Sequence, residues 1–197
     1  MRSFRDGSGR LLRAAGFLAI LLLLNVILSW LLRAYSIVDV DFHKIAQGDV
    51  QDLIVGSSHG LSGLDPDVLE EYTGSKTQNA CLGGEFPIDS FYIIQEAERH
   101  QKLKRVIYEL DPGYWVAGNH YNAVYQSFPR SALKVRYYLD RVLMSDFRMT
   151  LLPWYQYAHD YRSIPRIVQA KQSASYRRRD AEILRDTTYF CKDNGFM

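Results

Sequence analysis

Residues 56–60, with the sequence GSSHG, are the part of the chain whose residue types and position best suit chemistry. They follow the apolar stretch 53–55 and precede residues 63–66 (GLDP), which have the composition of a helix start. A strand, a small-residue loop and a helix bring backbone N–H groups together at the loop, where they stabilise an anion such as a tetrahedral oxyanion. A serine here is placed for acyl chemistry, although Gly-Ser-Ser is also a common turn composition.

The elements around this loop predict an α/β fold with a parallel sheet. We expect three strands: one at residues 52–55, a short second strand that ends near Cys81, and a third at 105–110. Helices are expected between them at 66–72 and 88–100. Strands that alternate with helices are joined by right-handed crossovers, which place helices on both faces of the sheet. Further helices are predicted at 131–144 and 164–186.

Three loops of this arrangement meet at one edge of the predicted sheet. Ser58, Gly83, Gly84 and Asp111 each follow a predicted strand. Because sites in open α/β sheets gather at the carboxyl ends of the strands, we expect these residues to form one site.

The apolar run from residue 14 to residue 32 is long enough to cross a bilayer as a helix. Four arginines precede it and one follows at once, which predicts a cytoplasmic N-terminus. Residues 1–13 are then a cytoplasmic basic tail, 14–34 a single-pass membrane anchor and 35–197 an extracytoplasmic domain. A cleaved signal peptide is the alternative, but the run is longer than a usual signal core and LRAY at 32–35 is a poor cleavage site.

Composition excludes several other classes of protein. A net charge of +2 does not provide the basic face that nucleic-acid binding requires. The two cysteines, Cys81 and Cys191, form no disulfide framework and have no metal-ligand spacing. Residues 56–60 lack the spacing of a nucleotide-binding loop, so we expect no cofactor and no metal.

The segment beyond Asp111 is rich in aromatic residues. Aromatic side chains in such numbers line carbohydrate-binding grooves or pack a core, because each buries a large area. Both interpretations remain open from the sequence.

The GSSH sequence after a strand, just outside a single membrane anchor, resembles the first conserved block of the SGNH hydrolase superfamily, and most closely its DltD-like branch. Asp65-Pro66, Asn79-Ala80 and Asp111 fit the same pattern, so the resemblance covers roughly residues 50–115. It implies a flavodoxin-like, three-layer domain with Ser58 as the nucleophile and Ser57 in the position usually held by Asp. Gly83 or Gly84 would supply the second oxyanion donor, with Asn79 and Asp111 in support.

The chain departs from this family in its catalytic base. The family takes its base from an Asp-x-x-His pair near the C-terminus, and this sequence contains no such pair. The candidate bases are His59, His100, His120 and His159. His159, followed by Asp160, is the one we assign, whereas His59 is expected to point away from the neighbouring Ser58. The sequence predicts three strands, whereas domains of this family usually have five. The chain is therefore expected to correspond to the N-terminal part of a larger domain.

Two functions follow from the resemblance. The first is a membrane-anchored extracytoplasmic acyltransferase or esterase that acts on a cell-envelope polysaccharide or teichoic-acid-like polymer through acyl-Ser58. Its partners would be the acyl donor and a membrane-bound O-acyltransferase. The second is a non-catalytic accessory protein or remnant that binds glycan or such an O-acyltransferase.

Overall fold

The computed structural model describes residues 2–32, 37–115, 123–142, 152, 154–155, 162 and 164–172. Within these ranges the protein has a mixed α/β fold with a three-stranded parallel sheet and an N-terminal apolar helix. The predicted α/β class and parallel sheet are therefore confirmed.

The N-terminal helix α1 spans Arg2–Leu32, and its part from Gly9 to Leu32 is long and apolar enough to cross a membrane. Most of its large apolar side chains are exposed, whereas Leu32 at its end is buried. A second helix, α2 (Ile37–Ile45), begins five residues later. This helix was not predicted, and it contributes Val38, Phe42 and Ile45 to the core.

The sheet consists of β1 (Asp52–Val55), β2 (Thr77–Asn79) and β3 (Arg105–Tyr108) in the order β2-β1-β3. In its register Ile54 lies between Asn79 and Ile107. The central strand is buried on both faces, which explains why Leu53, Ile54 and Val55 form an unbroken apolar run. Successive side chains point to opposite faces, so Ile54 packs on one side and its two neighbours on the other.

Three helices connect the strands: α3 (Ser58–Gly63), α4 (Pro66–Thr73) and α5 (Pro87–His100). Asp65 is the N-cap of α4, and its carboxylate accepts the Asp67 N–H at 3.0 Å; Gly74, with φ of 64°, is the C-cap. These are ordinary helix start and stop signals, and the predicted helices at 66–72 and 88–100 are confirmed within one residue at each end. Helix α3 falls where a loop was expected.

The main core lies on one face of the sheet, under α2, α5 and the later helices α6 (Ala123–Ser127) and α7 (Ala132–Val142). Tyr92 and Tyr137 stack there with ring centroids 4.4 Å apart, and Phe128 meets Tyr137 edge-on at 5.3 Å. The Tyr137 hydroxyl donates to the buried Asp89 carboxylate. At Phe128 and Tyr137 the aromatic segment therefore serves the core.

Two further elements complete the described chain. A 3-10 turn at Pro112–Trp115 follows β3, and helix α8 (Ile164–Gln172) packs against α1. The Lys171 ammonium hydrogen-bonds the Trp30 carbonyl and lies over the Trp30 ring, 5.0 Å from its centroid. The predicted helix at 164–186 is confirmed as far as Gln172, and the rest of that range lies outside the described residues.

Candidate active site

The candidate site begins at the carboxyl end of the central strand, where Gly56 leads from β1 into α3. Gly56 has φ of 146°, a backbone conformation that other residues rarely adopt. A Cβ at this position would lie 2.7 Å from the Cβ of Glu109 and 2.9 Å from its carbonyl oxygen. Glycine is thus required for the turn to pack against the end of β3.

Ser57 fastens this turn to Glu109. The backbone N–H of Ser57 donates to Glu109 Oε2 at 2.7 Å, and its hydroxyl donates to the same oxygen at 2.8 Å. The hydroxyl oxygen also accepts the His59 N–H at 3.3 Å, which makes Ser57 the N-cap of α3. Ser57 is 2% exposed, so its hydroxyl is a structural group that a substrate does not reach.

His59 and Asp111 form the second part of the site. The Nδ1 atom of His59 lies 3.3 Å from Ser57 Oγ and 3.4 Å from Asp111 Oδ2. Asp111 Oδ1 accepts the Gly113 N–H at 2.6 Å, and this bond, with smaller contributions from Ser57 and His59, lowers the pKa of Asp111. The His59 side chain is 70% exposed. The ionised Asp111 carboxylate therefore lies beside Nδ1 of His59, and most of the imidazole ring is exposed to solvent.

Ser58 is the first residue of α3 and is exposed. Gly83 lies opposite, since a Cβ added to it would stand 3.9 Å from the Ser58 Cβ. The Gly83 loop is tied to the turn by the Leu82 N–H, which donates to the Gly56 carbonyl at 3.0 Å, and it turns at Gly84 with φ of 76°. The structure thus brings Ser58 and Gly83 together at the sheet edge where the sequence predicts them.

Asn79 has a buried supporting position at the end of β2. Its Nδ2 donates to the carbonyls of Gly60 at 2.9 Å and Leu64 at 3.0 Å, and its Oδ1 accepts the Cys81 N–H at 3.0 Å. Both amide hydrogens are therefore used to hold α3. The geometry gives Asn79 the supporting role and not that of a donor to an oxyanion.

Two buried carboxyl groups stand behind the site, and the sequence gives no sign of them. Burial raises the pKa of Glu85, which accepts the Ser90 hydroxyl, and the pKa of Asp41, which accepts Gln78 Nε2 at 2.9 Å. Burial also raises the pKa of the Cys81 thiol, so this cysteine remains protonated and unreactive.

Some expected residues cannot be placed, and one important residue was missed. His159 lies outside the described residues. Glu109 was read as part of a strand, yet its carboxylate holds Ser57. In the described ranges, no group of three or more His, Cys, Asp or Glu side chains is arranged to hold a metal ion.

No family model, curated protein or solved structure matches this chain. The geometry of the site is therefore the basis on which a function can be proposed.

Proposed function

We propose that this protein is a membrane-anchored, extracytoplasmic esterase or acyltransferase of the SGNH type that acts through an acyl-Ser58 intermediate. The observation that carries the proposal is the exposed Ser58 at the start of α3, with Gly83 opposite and the His59–Asp111 pair beside it. These groups come from three loops at the carboxyl edge of one parallel sheet, which is where such folds assemble their sites.

The chemistry required is acyl transfer to a serine hydroxyl. Ser58 Oγ attacks the acyl carbon, a base takes the hydroxyl proton, and backbone N–H groups stabilise the negative charge on the carbonyl oxygen. The first N–H groups of a helix have no partner inside the helix, and in α3 the first is that of Ser58, whereas the next, that of His59, is donated to Ser57 Oγ. The Gly83 loop approaches the same point without a side chain in the way.

The cellular setting of the proposal comes from α1 and the resemblance. An apolar helix from Gly9 to Leu32, with four arginines among residues 1–13, supports an anchor with the domain outside the membrane. The resemblance supports a cell-envelope polysaccharide or teichoic-acid-like polymer as the acceptor and a membrane-bound O-acyltransferase as the partner. The described sheet has three strands, whereas SGNH domains usually have five.

A fluorophosphonate probe tests the proposal directly. Full-length protein in lipid nanodiscs is treated with the probe, and mass spectrometry locates the adduct. We expect the adduct on Ser58 and its loss in Ser58→Ala. Ser62→Ala is the matched control, because Ser62 is exposed on the same short helix and is expected to have no effect on labelling. A folded wild-type protein that forms no adduct on Ser58 contradicts the proposal.

A second candidate function is that of a non-catalytic accessory protein that binds glycan or a membrane partner. It is favoured by the structural roles of the motif residues, since Gly56, Ser57 and Asn79 are each explained by packing or hydrogen bonding within the fold. The same experiment separates the two functions, because an accessory protein leaves Ser58 unlabelled.

A further inference from the structure

We propose that Glu85, held as a neutral carboxylic acid, is a positioning residue that fixes the Gly83 loop against the turn that presents Ser58. This inference rests on the proposed function, in which backbone N–H groups beside Ser58 stabilise the charge on the carbonyl oxygen. Glu85 does not contact the reacting atoms in this assignment. It acts through the loop of residues 82–85, which carries Gly83.

The Gly83 loop is a tight turn that is attached to the Gly56 turn at its start. The Glu85 N–H donates to the Leu82 carbonyl at 3.0 Å and closes the loop. The Leu82 N–H donates to the Gly56 carbonyl at 3.0 Å. A Cβ added to Gly83 would lie 3.9 Å from the Ser58 Cβ, so a small shift of the loop changes the position of Gly83 relative to the nucleophile.

The Glu85 side chain anchors the other end of the same loop. It is fully buried, and its Oε1 accepts the hydroxyl of Ser90 in α5. The Gly56 N–H also interacts with this carboxyl group and favours its ionised form. Both backbone groups of Gly56 therefore contact the Gly83 loop, one through Leu82 and one through Glu85. The side chain of Glu85 connects α5 to the turn that leads to Ser58.

The surroundings of Glu85 favour a neutral acid over a carboxylate. Burial raises the pKa of Glu85 well above its ordinary value; the Ser90 hydroxyl opposes this shift, and the carboxyl groups of Asp89 and Asp41 add to it. The Cys81 thiol, a further titratable group near Glu85, is itself kept protonated by burial. Across the described ranges Glu85 has no ion pair, and its Oε2 has no hydrogen-bond partner. A buried carboxylate without a cation is strongly disfavoured.

Two replacements separate the shape of the Glu85 side chain from its ability to carry charge. Gln has the same length and no charge, and its carbonyl oxygen can accept the Ser90 hydroxyl, so Glu85→Gln preserves the anchor. Glu85→Ala removes the anchor and leaves the Ser90 hydroxyl without its acceptor. The Gly83 loop is then held to the Gly56 turn through Leu82 alone.

The kinetics of fluorophosphonate labelling test the positioning role on full-length protein in lipid nanodiscs. Labelling of Ser58 is measured over a series of probe concentrations, which separates the binding constant KI from the maximal rate kinact. A misplaced oxyanion donor weakens the transition state and not the bound probe, so Glu85→Ala is expected to lower kinact by about 100-fold with KI unchanged. Glu85→Gln is expected to retain the wild-type kinact. Loss of kinact in Glu85→Gln equal to that in Glu85→Ala overturns the proposal.

Asp41→Ala is the matched control for the loss of a buried acid. Asp41 is also buried, and burial raises its pKa, but its carboxyl group accepts Gln78 Nε2 at 2.9 Å and lies in α2. We expect Asp41→Ala to destabilise the fold and to leave kinact unchanged. If it lowers kinact as much as Glu85→Ala does, the effect belongs to any damage to the core and the positioning role of Glu85 is wrong.

The protonation of Glu85 is measurable without any activity. The infrared carbonyl band of a protonated carboxyl group is separate from the bands of a carboxylate. At pH 6 an ordinary Glu is almost fully ionised. We expect the difference spectrum between wild type and Glu85→Gln at this pH to show the loss of a protonated carboxyl group, and loss of a carboxylate instead overturns the neutral state.

The outcomes distinguish a failure of Glu85 from a failure of the nucleophile. If wild-type protein is labelled on Ser58 and folded Glu85→Ala has the wild-type kinact, Glu85 is not a positioning residue and the proposed function stands. If folded wild-type protein is not labelled, the proposed function fails and the role of Glu85 in it fails as well. Circular dichroism and thermal unfolding establish that each variant is folded at the temperature of the assay.

Discussion

The replacement Asn79→Ala distinguishes a structural role for this residue from a role in catalysis. Asn79 is fully buried and makes three hydrogen bonds, two from its amide to the Gly60 and Leu64 carbonyls and one to its oxygen from the Cys81 N–H. A net contribution of about 1 kcal/mol for each bond gives about 3 kcal/mol. The three partners are then left without the Asn79 side chain, so we expect a loss of about 3–5 kcal/mol from the free energy of unfolding.

Urea unfolding of the full-length protein measures this loss, and amide hydrogen exchange locates it. The Leu61 N–H donates to the Ser57 carbonyl and the Leu64 N–H to the Gly60 carbonyl, so both report on α3. We expect both amides to lose protection in Asn79→Ala. The matched control is Gln78→Ala on the same strand, whose amide donates to Asp41 at 2.9 Å and to the Asn79 backbone carbonyl at 3.3 Å, and not to a carbonyl of α3. It is expected to cost about 1–2 kcal/mol and to leave the two amides protected.

A loss of less than about 1 kcal/mol in the free energy of unfolding, with unchanged amide exchange in α3, would refute this reasoning, because removing three buried hydrogen bonds destabilises a protein by more than that. If Ser58 labelling nevertheless disappeared in that variant, Asn79 would be acting on the bound substrate. If α3 loosens and labelling falls with it, Asn79 acts by holding the helix that presents Ser58.

Three further predictions concern the residues around the site. Burial raises the pKa of Glu85, so the folded protein retains a proton that the unfolded chain releases, and stability falls as the pH rises above the ordinary range for Glu. Glu85→Gln is expected to reduce the fall in the urea midpoint between pH 5 and pH 8. The same fall in the variant and in the wild type would contradict this prediction. Gly60→Ala places a Cβ 2.5 Å from Cys81 Sγ and is expected to lower the free energy of unfolding by about 1–3 kcal/mol. Adding Cys81→Ala is expected to recover most of this loss, and two effects that simply add in the double variant would contradict the prediction. Asp65→Ala removes the N-cap of α4 and is expected to cost about 1 kcal/mol, which a thermal unfolding shift reports and an unchanged midpoint would refute.

The features that the sequence predicts well are those with local physical causes. The central strand is recognisable because burial on both faces demands an uninterrupted apolar run at 53–55. Helix α4 is recognisable at both ends, since Asp65 caps it and Gly74 adopts the left-handed conformation that ends it. The meeting of Ser58 with Gly83 follows from the parallel topology alone.

The features that the sequence does not reveal depend on contacts between distant residues. Glu109 belongs to a segment that reads as continuous strand, yet pairing with β1 ends at Tyr108 and the next side chain turns to Ser57, 52 residues earlier. The orientation of His59 depends on Asp111 in the same way. No local pattern encodes these contacts, because each requires the packed sheet to bring two loops together.

The end of helix α1 lies close to the domain, which bears on where the candidate site lies relative to a membrane. Leu32 at the end of α1 is buried, and α2, whose residues Val38 and Phe42 lie in the main core, begins at Ile37. The five steps from Leu32 to Ile37 span at most about 18 Å. Lys171 binds the end of α1 through Trp30, so α8 adds a second connection. If α1 spans the membrane, these connections hold the domain at the membrane surface, and the acyl transfer that we propose for Ser58 is confined to acyl groups and acceptors within about one domain diameter of the bilayer.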